Sequence, residues 1–238
     1  MTKETINTAL SSLKKLILTM ETLRSPGGCD WDRQQSSESL KKYILEEAYE
    51  VIDAIDRGDS MEICEELGDL LLQVVFQAQI FGEQELFGMA EVAESIDSKL
   101  RRRHPHIFAS SPREAFDWER IKQEERDTKG QPPQLESRIP QAFPALKKAE
   151  KLGSILSHSS TDPETIEVTK QKIAEQILQL ACPDADQQAT EDEIGDILYN
   201  LTNYAKSLNI DAEDALRRAV DRRIKKHDKN TGSGTERQ

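Results

Sequence analysis

Two short stretches of the chain carry acidic side chains at a spacing that could hold metal ions. The first is EEAYE at residues 46–50, and the second is ELGD at residues 66–69. At about 100° of rotation per residue, the acids of each stretch share one face of a helix and border its apolar residues. Carboxylates held close together repel one another unless a cation joins them, and Mg²⁺ prefers oxygen ligands. We therefore predict a divalent metal site here, although an acidic helical run is more often a solvated helix face.

The helices that must position these acids follow from the spacing of apolar residues. One helix is predicted from Ser36 or Ser37 to about residue 55, and the next over residues 60–81, with only an Arg-Gly-Asp break at 57–59 between them. Two helices joined by so short a turn pack antiparallel. Their acidic strips would then face each other beside a shared core.

The rest of the chain continues the helical pattern in two halves. Further helices are predicted at 6–23, at 89–103 and from Ser111 to Arg126, and four more follow Pro144. Glycine and proline interrupt the pattern between the halves. We predict an all-α protein with an N-terminal domain at residues 1–127, a linker at 128–144, a C-terminal domain at 145–230 and a disordered tail at 231–238.

The two halves share sequence landmarks in the same order. ELGDLL at residues 66–71 is matched by EIGDIL at residues 193–198, and a basic helix end follows each, KLRRRH at 99–104 and DRRIKKH at 221–227. Repetition at such a separation indicates an internal duplication.

The first half of the chain resembles a known family. Two adjacent glutamates and a third at residue 50, followed after fifteen residues by Glu-x-x-Asp, resemble the MazG signature of nucleoside triphosphate pyrophosphohydrolases. RSPGGCDWDRQQS at 24–36, KLRRRHPHIF at 99–108 and WERIK at 118–122 are also similar to the family, although Asp30 stands where the family usually has proline. The resemblance implies two tandem MazG-like helical bundle domains and a homodimer.

The resemblance also implies a reaction and the residues for it. The family binds a nucleoside triphosphate through Mg²⁺, or Mn²⁺ in its place, and water attacks the α-phosphorus to give a nucleoside monophosphate and pyrophosphate. Carried over to this chain, the metal ligands are Glu47, Glu50, Glu66 and Asp69. Glu46 and Glu47 are the expected catalytic residues, and Glu46 either binds a further metal or orients the water.

Four other residues are candidates for binding the substrate. Lys99, Arg102 and Arg103 could grip the outer phosphates, although cations at a helix end also complement its dipole. Trp31 could stack on a base, although a tryptophan in a loop is more often a packing anchor.

The second half departs from the signature. Glu175, Glu193 and Asp196 match part of it, but an alignment gapped by two residues puts Gln171 and Lys172 at the positions of the glutamate pair. A lysine there would place a cation where a metal should bind. We expect catalysis in the first half and a scaffolding role for the second.

Charge and hydropathy restrict the remaining possibilities. The formal net charge of −12 argues against nucleic-acid binding, which requires an excess of Lys and Arg. Neither a membrane-spanning apolar stretch nor a signal pattern is visible, so we expect no membrane association and a cytoplasmic location. Two alternatives stay open: a related pyrophosphatase restricted to deoxynucleotides or phosphoribosyl-ATP, and a non-catalytic helical dimer that keeps the motif as a relic.

Overall fold

The computed structural model describes residues 2–108, 121, 125, 135–159, 166–180 and 187–232. Helices are the only regular secondary structure in these residues, which confirms the predicted all-α fold. The chain divides into two compact units, Met1–Glu124 and Glu125–Gln238. Within the described residues, no helix has both the length and the hydropathy required to cross a membrane.

The first unit is organised around a helical hairpin. Its helices are α1 (Lys3–Arg24), α2 (Asp30–Gln34), α3 (Lys41–Arg57), α4 (Ser60–Glu83), α5 (Met89–Arg103) and α6 (Pro105–Phe108). Between α3 and α4, Gly58 adopts a left-handed φ of +77°, and the Asp59 side chain accepts hydrogen bonds from the Met61 and Glu62 amides. The glycine closes the first helix and the aspartate caps the second, so the chain reverses within two residues.

The core of this unit joins α1 to the hairpin. Met20 of α1, Leu40 and the α4 residues Val75, Phe76 and Ile80 form one buried cluster. The Leu40 and Met20 side chains are each only 1% exposed. Burial of these apolar groups fixes the face that each helix turns inward and therefore the faces left for its polar residues.

The entrance to α3 differs from the prediction. The helix begins at Lys41 rather than at Ser36 or Ser37, because Ser36 and Ser39 cap each other in a separate turn. The preceding loop also contains the short helix α2, which apolar spacing does not reveal. Gly28 is required in this loop, since an added Cβ would lie 2.3 Å from the Leu23 carbonyl oxygen.

Five helices are described in the second unit. They are α7 (Leu135–Arg138), α8 (Ala145–Ser159), α9 (Ile166–Gln179), α10 (Gln187–Ser207) and α11 (Ala212–Gly232). Helix α10 packs against α8, α9 and α11. At the contact of α8 with α10, Gly153 abuts Asn203, whose Oδ1 would lie 1.7 Å from an added Cβ. Ile155, Ile173 and Thr202 are buried in this unit.

Described helices overlap both the predicted linker and the predicted tail. Helix α7 lies inside the stretch predicted as a linker, and α11 continues two residues into the stretch predicted as a tail. Of the helix predicted from Ser111, only Ile121 and Glu125 are described, and both are helical. Residues 233–238 lie outside the description.

Candidate metal centre

The α3–α4 hairpin brings acids from the two stretches together. Glu47 of α3 and Glu66 and Asp69 of α4 each offer a carboxylate oxygen within 4.8 Å of the other two. Glu47 and Glu66 are half-buried. Within the described residues, this is the one group of three or more acidic, histidine or cysteine side chains that approach so closely. An all-oxygen donor set of this kind fits Mg²⁺ or Mn²⁺.

The proximity of these acids disfavours their ionised forms. Burial, followed by the charge of Asp69 and a hydrogen bond with Glu50, raises the pKa of Glu47 above its ordinary value. Burial, followed by the charges of Glu50 and Asp69, raises the pKa of Glu66. A cation bound among these oxygens would reverse both effects, because an opposite charge favours the ionised carboxylate.

The other two acids of the first stretch lie beside the cluster. Glu50 is exposed, and its charge adds to burial in raising the pKa of both Glu47 and Glu66. The charge of Glu46 also contributes to the raised pKa of Glu47, although Glu46 itself is exposed. Their roles as metal ligand and as base or further ligand stay predictions.

Sequence reasoning missed a glutamine behind the cluster. Gln73 lies one turn beyond Asp69 on α4 and is 6% exposed. Its Nε2 donates a hydrogen bond of 3.5 Å to Oε1 of Glu47, and its own Oε1 has no hydrogen-bond partner. The sequence contained a sign of this role, because Gln73 follows Glu66 and Asp69 on one polar side of α4. A polar residue within a buried stretch of helix requires a hydrogen-bond partner.

The structure gives Trp31 features of both proposed roles. Its ring contacts Tyr43 and Phe76 edge-on, with centroid distances of 6.1 and 6.5 Å. The residue nevertheless remains 51% exposed. It is therefore anchored on one side and accessible on the other, and its stacking on a base stays a prediction.

Arg24 holds the loop that carries Trp31. Its guanidinium donates to the backbone carbonyls of Asp32 and Gln35, and forms two hydrogen bonds of 2.7 Å with the Glu83 carboxylate. The Arg24 side chain is only 7% exposed. These bonds tie the loop to the end of α4, and the hydrogen bond from Arg24 lowers the pKa of Glu83.

The three basic candidates for phosphate binding lie near the end of α5. Lys99 is half-buried and Arg102 is exposed, while Arg103 is the last residue of the helix. Their neighbour Arg101 pairs with Asp97 one turn earlier, at 2.7 Å. Contact of Lys99, Arg102 and Arg103 with a phosphate stays a prediction.

The second unit repeats the α4 helix, and the residues described in that unit contain no acidic cluster like that of the first. Four residues of α10 each lie 127 positions after a residue of α4: Glu193 after Glu66, Asp196 after Asp69, Asn200 after Gln73, and Thr202 after Val75. The register agrees with burial, since Val75 and Thr202 are both 2% exposed. The Glu193 and Asp196 side chains are exposed.

In the second unit, one side-chain hydrogen bond joins α10 to α9. Asn200 Nδ2 donates to Gln176 Oε1 at 2.9 Å, as Gln73 does to Glu47. Gln176 on α9 thus makes the contact with α10 that Glu47 of α3 makes with α4, whereas the alignment from sequence places Lys172 at the position of Glu47. In either register an uncharged or positive side chain replaces a carboxylate.

Fold and site together define an all-α protein whose helical hairpin carries a carboxylate cluster suited to divalent cations. A sequence profile of the MazG nucleotide pyrophosphohydrolase domain matches residues 35–108, which contain α3, α4 and the whole cluster. The chain is 42% identical over 211 residues to the nucleoside triphosphate pyrophosphohydrolase/pyrophosphatase MazG of Thermotoga maritima, covering 87% of this chain and 80% of that protein. It is 39% identical over 220 residues to the nucleoside triphosphate pyrophosphohydrolase of Escherichia coli K12, covering 88% and 83%. The chain therefore belongs to the MazG family.

Proposed function

We propose that this chain hydrolyses nucleoside triphosphates to a nucleoside monophosphate and pyrophosphate, with Mg²⁺ held by the first unit. The observation that carries the proposal is the convergence of Glu47, Glu66 and Asp69 within 4.8 Å. The names of the Thermotoga and Escherichia relatives support the same activity. Mn²⁺ would serve in place of Mg²⁺, since the donor set is entirely oxygen.

Each acid has a defined task in this reaction. Glu47, Glu50, Glu66 and Asp69 would bind the metal, which would supply positive charge against the phosphates and would lower the pKa of the water. Glu46 would act as a base that orients the attacking water and accepts its proton, or would bind a further metal. The water oxygen bonds to the α-phosphorus, the bond from that phosphorus to the bridging oxygen breaks, and pyrophosphate leaves with that oxygen.

The basic and aromatic candidates hold the substrate in position. Lys99, Arg102 and Arg103 would bind the outer phosphates, because ammonium and guanidinium groups donate charge-assisted hydrogen bonds to phosphate oxygens. Trp31 would stack on the base with its exposed side. The second unit, with Gln176 in place of a carboxylate, serves as a scaffold.

We also infer that the chain forms a homodimer through its hairpin. Apolar side chains on α3 and α4 are exposed in the single chain, among them Leu45 (56%), Ile52 (38%), Leu67 (50%) and Leu71 (39%). Exposed apolar surface of this extent on two adjacent helices is typical of an interface. A second copy of the same hairpin is the occupant, because two such pairs form a four-helix arrangement with the apolar faces inside.

A product assay tests the activity directly. The full chain is incubated with each common NTP and dNTP and Mg²⁺, and the products are separated by chromatography. Monophosphate and pyrophosphate in equal amounts, lost on chelation with EDTA, are expected. Turnover confined to deoxynucleotides or phosphoribosyl-ATP would favour the narrower pyrophosphatase. No turnover of any of these substrates with Mg²⁺ or Mn²⁺ would favour the non-catalytic dimer.

A further inference from the structure

Gln73 is placed to control the orientation of Glu47. Its side chain is buried, and its amide nitrogen reaches Glu47 Oε1 from the opposite helix of the hairpin. A carboxylate can rotate about its terminal bond, so a donor fixed on one oxygen restricts the direction of the other. In metal sites generally, carboxylate ligands are themselves held by hydrogen bonds from a surrounding shell of residues.

The unpartnered oxygen of Gln73 argues that this residue does not serve stability alone. Its Oε1 is buried without a hydrogen-bond partner. Such an acceptor destabilises the folded chain, whereas an apolar side chain of the same shape would avoid that loss. A buried amide with one satisfied and one unsatisfied end is therefore expected where the satisfied end has a function.

The second unit supplies an independent observation. Its amide at the same helical position, Asn200, makes the same cross-helix bond to Gln176. The bond survives there although its acceptor is no longer a carboxylate. In both units, therefore, the amide at this position of the repeated helix donates a hydrogen bond to a side chain of the preceding helix.

We propose that Gln73 is a positioning residue that holds the Glu47 carboxylate for divalent metal binding. The role rests on the proposed metal site of the first unit. Gln73 keeps Oε1 of Glu47 engaged and leaves its second oxygen for the ion. Its effect on the reaction is indirect and is exerted through Glu47.

Metal binding without nucleotide tests the role. Gln73→Met keeps the length of an unbranched side chain but removes the donor. Titration with Mn²⁺ alone, followed by calorimetry or by the electron paramagnetic resonance of free Mn²⁺, should show a dissociation constant roughly 10- to 100-fold weaker than that of the unaltered chain. Thermal unfolding in EDTA should show the variant at least as stable as the unaltered chain.

Two controls separate positioning from packing. Gln77→Met makes the same change one turn later on α4, where the amide bonds the Ser37 carbonyl at 3.3 Å. Asn200→Leu removes the equivalent amide of the second unit. Both should leave the Mn²⁺ dissociation constant unchanged, and Gln73→Met should have no further effect on it in a Glu47→Gln background.

The outcomes are distinguishable. An unchanged Mn²⁺ dissociation constant in Gln73→Met, or an equal loss in Gln77→Met, overturns the positioning role and leaves the proposed function standing. Additive losses in the double variant also overturn it. Failure of the unaltered chain to bind Mn²⁺ overturns the metal site itself and this role with it. Should Gln73→Met fail to fold, Gln73→Leu in the same assay decides the question by the same criteria.

Discussion

Glu47 on α3 and Asp69 on α4 come from opposite helices of one hairpin, yet their carboxylate oxygens lie within 4.8 Å of each other. Burial raises the pKa of Glu47, and the charge of Asp69 raises it further because like charges at such a distance repel. Glu66 is subject to the same repulsion. The metal-free site is thus a source of instability that a bound cation would remove.

The first prediction concerns that instability. Glu66→Gln removes one negative charge from the cluster without changing its shape, so the metal-free variant should melt at a higher temperature than the unaltered chain at pH 7. Addition of Mg²⁺ or Mn²⁺ should raise the melting temperature of the unaltered chain and leave that of the variant nearly constant. Differential scanning calorimetry with and without EDTA measures both effects. A lower melting temperature of the metal-free variant would contradict the repulsion.

The second prediction gives the sign of the pH dependence. Glu66 has a pKa above its ordinary value of 4.5 in the folded chain, so the folded state holds more protons than the unfolded state just above pH 4.5. The free energy of unfolding contributed by Glu66 therefore falls as pH rises through this window. The stability advantage of Glu66→Gln over the unaltered metal-free chain should be present at pH 7 and disappear below pH 4.5. Urea unfolding at a series of pH values would show an inverted trend if the shift had the opposite sign.

The third prediction compares the two units. Glu50→Gln should abolish pyrophosphate release while circular dichroism stays unchanged, because it removes a ligand charge and keeps the side-chain shape. The same type of change in the second unit, Glu193→Gln at the position that corresponds to Glu66, should alter the rate little. A parental rate in Glu50→Gln would exclude it from the site, and a large loss in Glu193→Gln would assign catalysis to the second unit as well.

The fourth prediction concerns the loop that carries Trp31. Arg24→Met removes a nearly buried guanidinium from two backbone carbonyls and from Glu83, so it should lower the free energy of unfolding by roughly 1.5–3 kcal/mol, the range for hydrogen bonds to a charged group. Arg33→Met, which breaks an exposed contact of 3.5 Å with Asp30, should cost less than about 1 kcal/mol. Urea unfolding monitors both variants. Equal costs would show that Arg24 does not hold the loop.

The fifth prediction tests the dimer. Leu71→Glu places a charge on the apolar face of α4, where burial against a second copy would be costly. Light scattering should show a mass near twice 27.0 kDa for the unaltered chain and a shift toward the single-chain mass for the variant. Glu65→Gln, at an exposed acid of the same helix, is the control and should not change the mass. A single-chain mass for the unaltered protein would exclude the dimer.

The all-α fold could be predicted because it depends on local information. Apolar spacing identifies α1, α3, α4 and α5, and the two-residue turn at Gly58 allows only an antiparallel hairpin. From that hairpin alone, acids from the two helices are expected to lie close together. Their roles in catalysis remain predictions, as do the domain limits.

Other features depend on contacts that spacing does not encode. Helix α3 begins at Lys41 because the hydroxyls of Ser36 and Ser39 each accept a hydrogen bond from the backbone amide of the other serine, whereas in the sequence Ser36 looks like an ordinary helix cap. Gln73 has an ordinary place in a polar strip until its burial against Glu47 is known. The residue of α9 that faces Asn200 was equally inaccessible, because apolar spacing does not encode the Asn200–Gln176 hydrogen bond.

The amide pair of Asn200 and Gln176 gives the two halves of the chain different sensitivities to their surroundings. The two amides are neutral, so their hydrogen bond requires no cation to offset repulsion. The carboxylates of the first half repel one another, and a bound divalent ion would offset that repulsion. With the proposed metal site in the first half alone, divalent ions would change the stability of that half and leave the second half unaffected.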